Sequence, residues 1–146
     1  MKPAFVVLIL GGPLLGIAIG CFVLFLLSRG GWHKLAKYYT TPPRQGQALS
    51  WQTVTAIIGF TRYKKSMNIA LQPEGVYLEP KSIFKLFHPR LLIPFDEIMS
   101  TGEKSISRYD WFYFKVKATP TAIAILVNPA SHTLIHTLKE KVSVVG

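Results

Sequence analysis

The chain has 146 residues, room for one domain of ordinary size. Its single cysteine, Cys21, excludes an internal disulfide and a cysteine-based metal cluster. Sixteen of the seventeen Lys and Arg and all seven Asp and Glu follow Leu27, so the part beyond it carries +9, sixteen cations less seven acids. That balance suits an anionic partner: nucleic acid, an anionic membrane surface or an acidic protein.

Residues 4–27 hold no charge. A helix of that length reaches about 36 Å, enough for a hydrocarbon layer of about 30 Å. The run stops at Ser28-Arg29 and not at a small-x-small cleavage site, which favours a retained anchor over a cleaved leader. Ala18-Ile19-Gly20-Cys21 faintly resembles a lipoprotein box, but the next six residues are apolar where a mature lipoprotein turns polar. Lys2 precedes the run, whereas Arg29, Lys34, Lys37 and Arg44 follow it. The positive-inside rule therefore predicts a single-pass protein with its domain in the cytoplasm. Gly12, Gly16 and Gly20 recur every four residues and share a helix face, a pattern that suits a homo-oligomer or docking on a larger membrane complex. Pro13 removes a backbone donor and is expected to loosen the first turns.

Over 31–39, Trp32, Leu35, Ala36 and Tyr39 fall on one helical face, with Lys34 and Lys37 off it. This predicts an amphipathic helix lying on the bilayer, its aromatics at the boundary and its lysines among headgroups. Residues 41–46, rich in Pro and Gly, read as a linker. The expected organisation is an anchor over 1–28, a juxtamembrane segment over 29–47 and a soluble domain over 48–146.

Period-two alternation then dominates. Strands are expected over 51–60, around Met67, Ile69 and Leu71, and over 76–79, the last two joined by the turn Gln72-Pro73-Glu74-Gly75. Leu91-Leu92-Ile93 is a short run stopped by Pro94, and a strand follows over 95–101. Phe112, Phe114 and Val116 alternate with Trp111, Tyr113, Lys115 and Lys117, and Ile123, Ile125 and Val127 make the last strand. Asn128 as N-cap and Pro129 at the first position open a closing helix, with Leu134, Ile135, Leu138 and Val142 on its apolar face.

Six or seven antiparallel strands followed by one amphipathic helix is the arrangement of pleckstrin-homology and GRAM-like domains. The stretch LQPEGVYLEPKSIFKLFHPRLLIPFDEI, residues 71–98, resembles their strand pair followed by an "IP-aromatic-x-E-I" strand. Behind a membrane helix, it also looks like small uncharacterised bacterial membrane-anchored proteins. The resemblance implies an α+β domain: a six- to seven-stranded open barrel closed by a C-terminal helix. It also implies a basic ligand loop after the first strand, which here would be residues 60–66 with Arg62, Lys64 and Lys65. Other antiparallel barrels or sandwiches share the pattern.

Two further surfaces are candidates for an anionic lipid or partner. One is the segment 81–90, with Lys81, Lys85 and Arg90 beside Phe84 and Phe87. The other is the stripe Trp111, Tyr113, Lys115 and Lys117, much aromatic surface to leave in water. His132 and His136 have a metal-compatible spacing, but no carboxylate or cysteine completes a set nearby. No phosphate loop, nucleophile elbow or metalloprotease signature occurs, so neither catalysis nor a cofactor is expected. Charge alone points to nucleic acid, which is disfavoured beside an anchor.

Overall fold

The computed structural model describes residues 3–42 and 49–145. Helix α1 spans Pro3–Arg29 and runs through Pro13 without a break. It is long and apolar enough to cross a membrane, and its side chains from Gly11 to Gly20 are all exposed. Two residues later α2 begins, Trp32–Tyr39. Seven strands follow: β1 Gln52–Ile58, β2 Thr61–Gln72, β3 Gly75–Pro80, β4 Leu91–Ile93, β5 Ile98–Ile106, β6 Tyr109–Val116 and β7 Ala122–Leu126. The chain closes with α3, His132–Val145.

The strands form one antiparallel sheet in the order β4-β3-β2-β1-β7-β6-β5, curled into a half-barrel. β1 sits in the middle because it pairs with the second strand on one side and the last on the other, Ile57 facing Arg62 and Ala124. Alternation decides which face is inside. Ala56, Ile58, Tyr63, Met67, Phe112, Phe114, Ile123 and Ile125 are almost wholly buried on the concave side. α3 seals part of that side with Leu134, Ile135 and Leu138.

The sheet leaves a gap between its edge strands, β4 and β5, and α2 fills it. On one side Thr40 bridges to Leu91 and Trp32 Nε1 donates to the Pro89 carbonyl at 3.0 Å. On the other, Tyr39 Oη donates to Glu97 at 3.2 Å and accepts from the Ala118 amide at 3.3 Å. Trp32 and Leu35 have no exposed surface. Burying such side chains stabilises the fold by about 1.5–3 kcal/mol each. The expectation that this face lies on a bilayer is thereby overturned: the apolar stripe is correct, but it meets the open core. Of the expected linker over 41–46, residues 43–46 lie outside those described, and Thr41 is held to the domain, its amide donating to the Arg90 carbonyl at 2.9 Å.

Three smaller expectations also shift. Residues 61–66 belong to β2 and not to a loop, because Thr61 and Tyr63 point into the core. Residues 95–97 form a 3-10 turn before β5 starts at Ile98. Asn128 does not cap α3 directly: its side chain accepts from the Ser131 amide at 2.9 Å, and the helix starts one residue after that turn.

Candidate functional site

On the convex side of the sheet, the register aligns residues that are distant in sequence. Trp111 stands opposite Leu126 and Lys104, and Tyr113 opposite Ala124 and Gly102. A cavity of about 360 Å³ opens there, its floor including Ile57, Trp111, Tyr113 and Ala124, its rim Lys104 and Lys115. Gly102 makes room for the Tyr113 ring, which a Cβ at that position would overlap. Arg62 reaches in from β2, its guanidinium 5.7 Å from the Trp111 ring centre, a cation–π distance. Trp111 is 3% exposed, yet its Nε1 makes no hydrogen bond among the described residues. A buried indole N–H without an acceptor is costly and unusual in a folded core. Two cations and two aromatic rings therefore line one open trough, with the Arg62 guanidinium beside the Trp111 ring, a chemistry suited to an anionic group with an apolar portion.

Of the residues singled out in the sequence, Trp111, Tyr113 and Lys115 meet in this trough, and Arg62 adjoins it through the Trp111 ring. Lys117 does not: β6 ends at Val116, and the Lys117 amide donates to the Glu97 carbonyl. Lys64 and Lys65 are exposed on β2 beside a bulge, where Lys65 adopts a φ of 49° and its amide donates to Thr55 Oγ1. Two of the three cations of the 81–90 cluster share one carboxylate. Glu79 takes Arg90 at 2.7 Å and Lys85 at 3.0 Å, while Lys81 stays exposed. Burial alone would raise the Glu79 pKa, but the hydrogen bonds from Lys85 and Arg90 hold its carboxyl below the ordinary range. No family model matches the chain, and no curated protein matches it. The site's meaning therefore has to come from its own chemistry.

Nothing in the sequence pattern pointed to Lys104 or Ile57 as part of the trough. β5 and β1 carry them there only through β6 and β7, and that cross-strand register is invisible to a one-dimensional pattern. A second missed cluster is internal. His88, 2% exposed, holds Tyr63 Oη at 2.8 Å through Nε2 and the Leu86 carbonyl at 2.8 Å through Nδ1. Its ring lies 5.4 Å from that of Trp32. The Nδ1 contact fixes the tautomer, leaving Nε2 to accept from Tyr63. Burial pushes the His88 pKa down, against the smaller opposing pull of the Leu86 carbonyl.

Elsewhere, Glu103 on β5 lines a cavity with His132 and His136, a carboxylate that sequence spacing did not bring near them. It is engaged by Lys139, and no group of three or more potential metal ligands occurs among the described residues. Gly12, Gly16 and Gly20 face open space on the exposed surface of α1.

Proposed function

We propose that this chain is a membrane-tethered, non-catalytic interaction module of pleckstrin-homology/GRAM-like type. α1 spans the bilayer, the domain sits on the cytoplasmic side, and the trough binds an anionic lipid surface. The observation that carries this reading is the convergence of Lys104, Lys115, Trp111 and Tyr113 on one open cavity, with Arg62 beside the Trp111 ring. Phosphate would meet the cations, worth about 1 kcal/mol each close to an anionic surface, and the aromatic floor would take apolar substituents. Gly59, at one end of the trough, lies so near the end of α1 that a Cβ on it would overlap the Gly30 carbonyl. The site thus opens close to where the chain would emerge from the bilayer.

Amine footprinting of the full chain in vesicles tests the proposal. Phosphatidylglycerol-containing vesicles at low salt are expected to protect Lys104 and Lys115 relative to pure phosphatidylcholine, and salt to remove the protection. Equal labelling in both lipids would sink the lipid reading. Protection that appears in native membranes, but not in vesicles of their extracted lipids, would assign the trough to an acidic protein instead. Orientation is checked separately: a cysteine near the C-terminus should resist a membrane-impermeant reagent in intact cells.

A further inference from the structure

The two residues between α1 and α2 do not form a flexible joint. Thr61 Oγ1 donates to the Leu27 carbonyl at 3.0 Å, and the Phe60 amide donates to the Gly30 carbonyl at 3.3 Å. Gly30, Gly31 and Gly59 bring the helix end and the β1–β2 turn together, so close that a Cβ on any of them would overlap the other segment. The end of the domain facing α1 is also where large apolar side chains stand in the open. Phe60 is 80% exposed, Leu86 and Phe87 each 46%. Neither site is remote from the helix: the Phe60 amide bonds to its end, and the Phe87 ring meets the Phe25 ring edge-on at 5.6 Å.

Height along α1 settles what these side chains would meet. Phe25 belongs to the uncharged run, and Arg29, one turn later, lays its guanidinium back over the Phe25 ring at 5.4 Å. The face made by Cys21, Leu24 and Ser28 loses exposure, although every side chain from Gly11 to Gly20 is exposed. The domain therefore reaches down beside α1 to the level of its apolar segment. About 20 residues of helix cover a hydrocarbon layer, and the uncharged run holds only a few more, so its last turn cannot stand far clear of the lipid. Polar side chains at that height would be costly; Phe60, Leu86 and Phe87 are not polar.

We propose that Phe60, Leu86 and Phe87 form a second membrane contact. They seat in the headgroup and upper acyl region of the leaflet from which α1 emerges, and so hold the domain against the bilayer. The inference rests on the reading that α1 spans the membrane, but not on the ligand of the trough. It predicts lipid contact at two points well separated in sequence, neither of them in the helix.

Depth measurements on the full chain test it. In a Cys21→Ser background, single cysteines replace Phe60, Phe87, Leu14 in α1, or Ala130. Ala130 neighbours Gln52, at the opposite end of β1 from Gly59. Each protein is spin-labelled and reconstituted into phosphatidylcholine–phosphatidylglycerol vesicles, and its accessibility to oxygen is compared with that to a water-soluble nickel chelate. Labels at 60 and 87 are expected to favour oxygen, at shallower depth than the label at 14, while the label at 130 favours nickel. Labels at 60 and 87 that match 130, with 14 still in lipid, would overturn the proposal and leave the anchor intact. A water-exposed label at 14 would instead remove the spanning helix, and this contact with it.

Discussion

His88 illustrates how one buried side chain makes stability depend on pH. Its pKa is lowered in the folded protein relative to the unfolded chain, where it lies near 6.5. The unfolded state then binds more protons between the two values, so stability is full above about pH 6.5 and falls as pH drops toward the folded value. Chemical unfolding of the detergent-solubilised chain at pH 7.5 and 5.5 should show a lower midpoint in acid, and replacing His88 with Gln should shrink that difference. Trp111 behaves differently from its neighbour on the strand. Trp111→Phe removes an unpaired buried N–H, a group whose burial costs about 1–3 kcal/mol, and this offsets much of the lost packing. It should change stability by less than about 1 kcal/mol, whereas Phe112→Ala should cost about 3–5 kcal/mol; denaturant titration of both variants checks the contrast. Tyr63 could be read as inward-facing only once β2 is known to start at Thr61. His88 sits in an irregular segment whose sequence has no period, so nothing in it announces a buried imidazole.

At the level of elements, period-two alternation located most strands, because one buried face per strand leaves a clear alternating trace. It failed at 60–66, where a cluster of cations looks like a loop. In β2 the exposed positions Arg62 and Lys64 carry that charge while Thr61 and Tyr63 face inward. It was silent on register, and hence on the trough, half of whose lining comes from strands joined through others. The amphipathic stripe of α2 was also plain, but a stripe does not say whether lipid or protein covers it. The β1–β2 turn offers a test at this scale. Gly59 has a φ of 63°, and a Cβ there would strike the Gly30 carbonyl. Gly59→Ala therefore adds about 1–2 kcal/mol of backbone strain to that clash. The expected outcome is a lower thermal midpoint together with new proteolytic cleavage around Gly30; an unchanged cleavage pattern would show that the junction stays closed around the added Cβ.

For the molecule as a whole, the boundary between anchor and domain lies much earlier than composition suggests. A chain starting at residue 48 lacks Trp32, Leu35 and Tyr39, and leaves the core open between β4 and β5. It should show no cooperative thermal transition, whereas a chain starting at residue 28 should unfold in one step; circular dichroism of the two distinguishes them. The tight seam at Gly30 and Gly59 has a mechanical consequence. A rod clamped to its load has no slack, so any lean of the rod is a lean of the load. Spanning helices lean by about 20° on average and adjust that angle to bilayer thickness. With α1 as such a rod, a thicker or thinner membrane would re-aim the convex face of the sheet. On the proposed reading of α1, the chain is a pointer whose bearing is set by the bilayer, and not a float on a string.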